Sequence, residues 1–226
     1  MNVFIPCRSG SKRIPNKNTR SFYNFKNGLI EIKIKQLSRV KEVENIFIST
    51  DDELIIKIVH DLDISNVIID KRPAEYCQDT TRTDDLILYA TTILPDGDIL
   101  WTHVTSPFVT AYHYSKIIEE YRNIDNNKFD SLITVSQLKN FIWNQNGAYN
   151  YNRNVNKWPF TQDLEVLYEI NNAAFVCNKE VYKENKDRIG NSPKFFIMDQ
   201  IRSIDIDTMD QFLLAEKVLK SSPDLI

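Results

Sequence analysis

The sequence predicts an α/β fold, in which helices cover both faces of a three-layer, mostly parallel sheet. Short runs rich in β-branched and aromatic residues alternate with longer amphipathic runs, whose apolar residues recur at a spacing of about 3.6. Such alternation is typical of right-handed βαβ units. It stops near residue 138 and resumes at residue 173, which indicates an insertion within one domain.

These runs place the elements in order. Strands are predicted at residues 2–6, 45–50, 66–70, 98–102 and 131–135, with helices at 29–41, 52–62, 83–94 and 111–123. After the insertion, strands are predicted at 173–177 and 194–198, and helices at 179–187 and 208–220. This order is that of a Rossmann-like sheet, in which ligands bind beside the carboxyl ends of the strands. A functional site is therefore expected in the loops that follow the strands.

The composition is that of a globular protein. The chain has 226 residues, 42% hydrophobic and 26% charged, which suits a single domain over residues 1–226. A net charge of −3 argues against binding to nucleic acid or to an anionic membrane. Neither a secretory signal nor a membrane span is predicted. Cys7, Cys77 and Cys177 lie far apart, which argues against disulfides or zinc, so a cytoplasmic protein is expected.

The loop after the first strand is strongly basic. Residues 8–20 contain no acid but five cations: Arg8, Lys12, Arg13, Lys17 and Arg20. Gly10 permits a tight turn, and the small Ser9 and Ser11 leave backbone amides free to face phosphate oxygens. Arginine binds phosphate through two parallel hydrogen bonds, and lysine adds a mobile charge. These features favour a phosphate site over a merely basic surface loop, although neither GxxxxGKS/T nor GxGxxG occurs.

The same loop resembles a known family. IPCRSGSKRIPNKN is similar to IPARxGSKxIPxKN, the N-terminal signature of the acylneuraminate (sialic acid) cytidylyltransferases, with Cys7 where alanine is usual. Kdo cytidylyltransferases begin similarly, but the Lys17-Asn18 ending favours the sialic-acid branch. The resemblance implies that five residues of the loop bind CTP, chiefly its triphosphate: Arg8, Ser11, Lys12, Lys17 and Asn18.

Two further segments resemble this family. The segment around Asp51 is similar to its V-S-T-D, although Asp51 could instead cap the next helix. Residues 72–83 are similar to R-P-x-x-L-x-x-D-x-S/T, which implies that Arg72 and Thr83 contact the cytosine base or another part of CTP. The alternative for Arg72 is a surface ion pair with Glu75.

The segment after the fourth strand resembles the part of the family that lies against the acceptor sugar. Residues 101–107, WTHVTSP, are similar to L-x-Q-P-T-S-P. The resemblance implies that His103, Thr105 and Ser106 bind the sugar. His103 replaces the usual glutamine, however, and a lone histidine can equally be structural. Val109 stands where the family commonly has an arginine.

Residues 169–172, EINN, depart from the R-x-N-G that the family commonly shows. Asn171 matches the asparagine of that motif and is a sugar-binding candidate. Glu169 cannot hold a sugar carboxylate as the family's arginine does. Three nearby cations could take its place: Lys139, Arg153 and Lys157. The acceptor could therefore be a modified nonulosonate, an octulosonate or another sugar acid.

The segment SIDID, residues 203–207, predicts a metal site. Side chains two apart on an extended chain point to the same side, so Asp205 and Asp207 can converge while Ile204 and Ile206 pack the other way. Two adjacent carboxylates favour a cation between them, and Mg²⁺ bridges carboxylates to phosphate. The alternative is that Asp207 caps the final helix. The segment also resembles the family's S/T-x-D-I-D.

The insertion at residues 138–172 corresponds to an arm that forms the dimer interface in the family. It is too aromatic for a free loop: Phe141, Trp143, Tyr149, Tyr151, Trp158 and Phe160. Exposed patches of this kind usually mark an interface, so a homodimer is expected. The alternative is that these side chains cover the chain's own sheet.

These observations and the resemblance predict a cytidylyltransferase for surface glycan biosynthesis. It would use CTP and Mg²⁺ to convert a sialic-acid-like 3-deoxy-2-ulosonic acid, a nonulosonate, to its CMP-sugar and pyrophosphate. The anomeric hydroxyl would attack the α-phosphorus, with four candidate catalytic residues: Arg8, Lys12, Lys17 and Asp207. A nucleotide-sugar-dependent glycosyltransferase, a non-catalytic CTP-binding protein and, within the class, a Kdo-type acceptor remain alternatives.

Overall fold

A seven-stranded central sheet organises the chain in a computed structural model that describes residues 1–226. Its strands are β1 (Asn2–Pro6), β2 (Asn45–Thr50), β3 (Val67–Lys71), β4 (Asp98–Trp101), β5 (Ser131–Leu138), β8 (Leu167–Asn178) and β9 (Pro193–Met198), and a separate hairpin holds β6 (Trp143–Asn144) and β7 (Gly147–Ala148). The order in the sheet is β3-β2-β1-β4-β8-β5-β9. Strand β8 runs antiparallel to its neighbours β4 and β5, and the other pairs are parallel. The predicted, mostly parallel sheet is therefore confirmed.

Six helices cover the two faces of the sheet. They are α1 (Gly28–Leu37), α2 (Glu53–Leu62), α3 (Thr83–Ile93), α4 (Ala111–Arg122), α5 (Lys179–Asn185) and α6 (Met209–Ser221). Along β1, Val3 and Ile5 join one hydrophobic cluster with α1, α2, α4 and α6, whereas Phe4 joins a second cluster with α3 and α5. This alternation follows from the two-residue period of a strand. Three layers result, as the sequence predicts.

The predicted boundaries differ from the structure in two informative places. The first helix ends at Leu37, whereas the sequence predicted residue 41. Val40 and Val43 lie beyond the helix but are buried in the core, so they continue the apolar pattern past its end. Strands β5 and β8 are longer than predicted and pair along Val135–Leu138 and Leu167–Ile170. The polar residues in that part of β8 do not show the apolar pattern of a strand. Part of the predicted insertion therefore belongs to the sheet.

The arm lies between β5 and β8. Gln145 and Asn146 form the turn between β6 and β7, and Gly147 adopts a φ of +122° that favours glycine. Asn150, 2% exposed, closes the base of the arm. Its side chain donates to the carbonyls of Asn140 and Glu165 at 2.9 and 3.0 Å.

None of the helices combines the length and the apolar character that crossing a bilayer would require.

Candidate active site

The basic loop is fastened to β2 at its beginning. The Cys7 amide donates to the Ser49 carbonyl at 2.9 Å, and Asp51 accepts from the amide and the hydroxyl of Ser9 at 2.7 and 2.8 Å. Burial would raise the pKa of Asp51, but the hydrogen bonds from Ser9 outweigh it and hold that pKa below its usual value. Asp52, which accepts from the Leu54 amide, caps α2. The capping alternative for Asp51 is therefore wrong.

The far end of the loop is fastened to α1. The Ile30 amide donates to the Asn18 carbonyl at 3.0 Å. Gly28 has a φ of +66°, and a Cβ atom there would lie 2.1 Å from the Arg20 carbonyl oxygen. Gly10, with a φ of +75°, turns the chain between the two attachments. The cations therefore stand on a loop that is held at both ends.

One cavity of about 600 Å³ brings most of the predicted site together. Nine predicted residues line it: Arg8, Ser11, Lys12, Lys17, Asn18, His103, Thr105, Asp205 and Asp207. The two ends of the chain meet here, since Lys17 Nζ lies 3.1 Å from the Asp207 carboxylate and donates to the Ile206 carbonyl at 3.0 Å. Arg13 reaches the same carboxylate at 3.0 Å. Cations and carboxylates thus share one pocket.

The aspartate pair has the predicted orientation. Ile206 between them is fully buried, and its amide donates to the Thr105 carbonyl at 2.8 Å. Thr208 caps α6 by accepting from the Gln211 amide. The alternative that Asp207 caps this helix is therefore wrong, and its carboxylate is free to face the cavity.

The carboxylate of Asp205 has one partner and one free oxygen. Its Oδ2 accepts from the Asn172 amide at 2.6 Å, whereas Oδ1 is buried without a hydrogen-bond partner. A buried, unpartnered carboxylate oxygen fits a bound cation. No group of three or more His, Cys, Asp or Glu side chains is assembled to hold a metal. Mg²⁺ commonly uses one or two carboxylates together with phosphate oxygens and waters, so two aspartates satisfy that pattern.

Asp79 lies beside the basic loop and lines the cavity, although no role was predicted for it from the sequence. Its carboxylate pairs with Arg8 at 2.9 Å and with Lys12 at 2.5 Å. Hydrogen bonds from Lys12 and then Arg8 lower the pKa of Asp79. The carboxylate therefore stays charged at neutral pH and contacts the two cations that were predicted to bind phosphate.

His103 is neutral. Its Nε2 receives hydrogen bonds from Trp101 Nε1 at 3.0 Å and from Arg188 Nη1 at 3.1 Å. Burial lowers the pKa of His103 to about 3, with additional contributions from Arg188, Lys17 and Lys33. A ring with this pKa is a weak base at neutral pH.

Four predicted residues do not line the main cavity: Arg72, Thr83, Ser106 and Asn171. Arg72 is 4% exposed and donates to the hydroxyl and carbonyl of Ser49 at 3.0 and 2.6 Å. The alternative of a surface ion pair with Glu75 is therefore wrong. Thr83 is an exposed residue at the start of α3. Ser106 is 1% exposed, and its carbonyl accepts from Lys33 at 2.8 Å.

A second cavity of about 590 Å³ adjoins the first and shares Asn172, Asp205 and Asp207 with it. Its lining is rich in amide side chains: Gln137, Asn140, Asn171, Asn172, Gln200 and Gln211. The predicted residue Asn171 lies here, where its amide donates to the Ser203 hydroxyl at 3.3 Å. The charged residues of the lining are all acids (Glu169, Asp205 and Asp207). Amides of this kind can recognise hydroxyl groups.

The cations proposed for a sugar carboxylate lie outside both cavities: Lys139, Arg153 and Lys157. Arg153 instead stacks over Trp143 and Trp158, with its Cζ 4.9 and 5.6 Å from the ring centroids. Within one copy of the chain, these residues leave the second cavity without a cation.

Besides Asp79, three residues around the cavity were not predicted from the sequence. Arg13 was counted among the cations but not assigned to the site. Asn172 is the neighbour of the predicted Asn171; it lines both cavities, whereas Asn171 lines only the second. Arg188 follows α5 and carried no signal, because its contact with His103 spans 85 residues.

Comparison with known proteins agrees with this architecture. The sequence profile of the family described as "Cytidylyltransferase" matches residues 2–218. An N-acylneuraminate cytidylyltransferase of Streptococcus agalactiae serotype III is 29% identical over 92% of this chain and 51% of its own length. The chain thus spans about half the length of that relative. A CMP-N,N'-diacetyllegionaminic acid synthase of Legionella pneumophila is 25% identical over 98% of this chain and 97% of its own length.

A solved structure supports the fold. The 4-diphosphocytidyl-2C-methyl-D-erythritol synthase of Anaerococcus prevotii superposes with a TM-score of 0.69 at 17% identity, covering 97% of this chain and 95% of its own. At that identity the likeness concerns the fold alone. The profile match is different in kind, because it spans nearly the whole chain, including both the basic loop and the aspartate pair. The chain therefore belongs to the cytidylyltransferase family.

Proposed function

We propose that this chain transfers the CMP part of CTP to a nonulosonic acid and releases pyrophosphate. One observation carries the proposal: the cations of the basic loop and the pair Asp205 and Asp207 line the same cavity. A triphosphate needs positive charge along its oxygens, and a metal that bridges those oxygens needs carboxylates. The relatives named above are described as acting on N-acylneuraminate and on N,N'-diacetyllegionaminic acid, which are both nonulosonic acids.

The CTP would lie along the basic loop. Arg8, Lys12 and Lys17 would bind the phosphates and stabilise the charge that builds on the leaving pyrophosphate. The triphosphate would replace the carboxylate of Asp79 as the partner of Arg8 and Lys12. The predicted contacts of Arg72 and Thr83 with the base stay a proposal. Since neither residue lines the cavity, these contacts would require the cytosine base to extend outside it.

The sugar acid would occupy the second cavity and extend into the part of the first cavity that His103 and Thr105 line. Its hydroxyl and acyl groups would suit the amide-rich lining, and Asn171 and Asn172 would hydrogen-bond with them. Asp205 and Asp207 lie where the two cavities meet, so the α-phosphorus and the anomeric hydroxyl would face each other there. The hydroxyl oxygen would form the new bond to the α-phosphorus, and the bond from the α-phosphorus to the α–β bridging oxygen would break as pyrophosphate leaves. The hydroxyl proton would pass to the Asp207 carboxylate or to water.

Mg²⁺ is the proposed cation of this junction. When bound, it would neutralise phosphate charge and align the attacked group. Asp205 and Asp207 would hold it, using the oxygen of Asp205 that is buried without a partner. Lys17 and Arg13 pair with the Asp207 carboxylate and orient it in the absence of substrate.

A homodimer formed by the arm is part of the proposal. Trp158 and Phe160 are 67% and 75% exposed, and Tyr168, Ile170, Phe195 and Ile197 are also exposed. The alternative that these aromatic side chains cover the chain's own sheet is not supported by such exposure. A second copy would bury them. The predicted cytoplasmic location agrees with the use of CTP and stays a prediction.

A pyrophosphate-release assay tests the proposed function. The protein is incubated with CTP, Mg²⁺ and one acid at a time: N-acetylneuraminic, N,N'-diacetyllegionaminic, pseudaminic or 3-deoxy-manno-octulosonic acid. We expect release with at least one nonulosonic acid and a CMP-sugar of the corresponding mass. Release with the octulosonic acid alone would transfer the proposal to a Kdo-type acceptor. CTP binding without release for every acid would favour a non-catalytic CTP-binding protein.

A further inference from the structure

His103 accepts two hydrogen bonds on a single ring nitrogen. Trp101 Nε1 and Arg188 Nη1 lie 3.0 and 3.1 Å from its Nε2. An indole N–H and a guanidinium can only donate, so Nε2 must accept. A neutral imidazole that accepts at Nε2 carries its proton on Nδ1.

The Nδ1–H group has no partner within the chain. The buried polar side-chain atoms that lack a partner are Gln36 Oε1, Tyr182 OH and Asp205 Oδ1, so Nδ1 of His103 is not enclosed. His103 lines the cavity that also holds Asp205. The ring therefore presents one directed N–H donor to the site.

Arg188 reaches this ring from outside the cavity lining. Its guanidinium lies over Phe175 and Trp101, with Cζ 3.8 and 5.1 Å from the ring centroids. It makes no ion pair with a carboxylate, and one of its N–H groups is directed at His103. A cation held this close opposes a second positive charge on the imidazole. Lys17 and Lys33 act on the ring in the same sense.

We propose that Arg188 is a positioning residue which, with Trp101, holds His103 as an Nδ1–H donor to an uncharged oxygen of the sugar acid. The proposal rests on the proposed function. Phosphate oxygens already have the cations of the basic loop, whereas a neutral donor suits a hydroxyl or an acyl carbonyl, for which direction matters more than charge. Arg188 would thus set substrate specificity without touching the substrate.

The first experiment reads the tautomer directly. Long-range ¹H–¹⁵N NMR spectra of the ligand-free protein should show the Nδ1–H pattern for His103 in the wild type. In Arg188→Met the pattern should shift towards Nε2–H, and Arg188→Lys should largely restore it. Lys183→Met, which removes an exposed cation from α5, is the matched control and should leave the pattern unchanged. An Nε2–H pattern in the wild type would overturn the proposal.

The second experiment uses kinetics. Arg188→Met should raise the KM for the sugar acid about tenfold, the cost of one poorly held hydrogen bond, and leave the KM for CTP unchanged. In a His103→Asn background, where the imidazole is missing, Arg188→Met should have no further effect. An equal loss in both backgrounds, or a rise in the KM for CTP instead, would show direct substrate contact and refute the positioning role. If the wild type converts no acid, the proposed function fails. The NMR experiment still tests whether Arg188 sets the tautomer of His103, because it uses the ligand-free protein.

Discussion

Lys17 and Asp207 are 190 positions apart in the sequence, yet Lys17 Nζ lies 3.1 Å from the Asp207 carboxylate. The same lysine donates to the Ile206 carbonyl, so it is fastened to the segment that carries both aspartates. Its side chain is only 14% exposed, which limits screening by water. This contact joins the two halves of the site before any ligand binds.

Asp207→Asn should lower the rate of pyrophosphate release by at least about 100-fold. A neutral amide binds a cation more weakly than a carboxylate does, so the cation that would neutralise the phosphate charge is held less well. Asn keeps the size and can still contact Lys17, so the thermal midpoint should change little. Asp210→Asn, an exposed change on the first turn of α6, is the matched control. Turnover in Asp207→Asn equal to that of the control would contradict the assignment of the metal pair.

Asp79→Asn should tighten the binding of CTP. The carboxylate of Asp79 competes with the triphosphate for Arg8 and Lys12, and exposed ion pairs of this kind are weak. We therefore expect the Kd for CTP, measured by calorimetry, to fall about two- to fivefold. Asp84→Asn, which breaks an ion pair with Arg82, is the control. Weaker binding in Asp79→Asn would mean that Asp79 assists CTP instead of competing with it.

Lys33 predicts a pH dependence of stability. Burial lowers its pKa from 10.5 to about 7, with an opposing contribution from Asp205. Between these values the unfolded chain binds a proton that the native chain lacks. The free energy of unfolding should therefore rise with pH in this window, by up to about 1.4 kcal/mol per pH unit, and the slope should vanish below pH 7.

Lys33→Met removes this titration. The unfolding free energy of the wild type should therefore rise relative to that of the variant between pH 7 and pH 10. Urea denaturation at several pH values measures it. Lys35→Met, which removes a half-exposed cation paired with Glu31 on the same helix, serves as the control: it keeps Lys33, so its unfolding free energy should rise with pH as that of the wild type does. A wild type and a Lys33→Met variant with parallel pH profiles would refute the depressed pKa.

Trp158→Glu combined with Phe160→Glu should prevent self-association, because each change places a charge on an apolar surface that a second copy would cover. Light scattering after size-exclusion chromatography should show a dimer for the wild type and a monomer for the double variant. Leu54→Glu, on an exposed position of α2, should remain a dimer. A monomeric wild type at micromolar concentration would remove the homodimer from the proposal.

Much of the fold follows from local patterns. The strands β1, β2 and β4 are continuous apolar runs bounded by loops, and the helices between them repeat apolar residues at helical spacing, so each was located to within a few residues. The outer part of β8 could not be located this way. Its polar residues Glu169, Asn171 and Asn172 line a cavity, and that function obscures the strand signal.

The roles of single polar residues depended on tertiary contacts. Asp51 and Asp52 are adjacent and chemically identical, yet one fastens the basic loop and the other caps α2. Arg72, expected to meet CTP, lies buried against Ser49. No local sequence pattern distinguishes these roles, because each depends on which other part of the folded chain lies beside the side chain.

Local patterns in the chain are enough to predict the order of strands and helices, the basic loop and the same-side orientation of Asp205 and Asp207, since all three depend on neighbouring residues. Three other features emerge only when the chain is folded: the loop and the carboxylates meet in one cavity, Asp79 pairs with Arg8 and Lys12, and Arg188 donates to His103. Those contacts join residues from separate elements, and their distances are set by how the sheet brings the ends of its strands together.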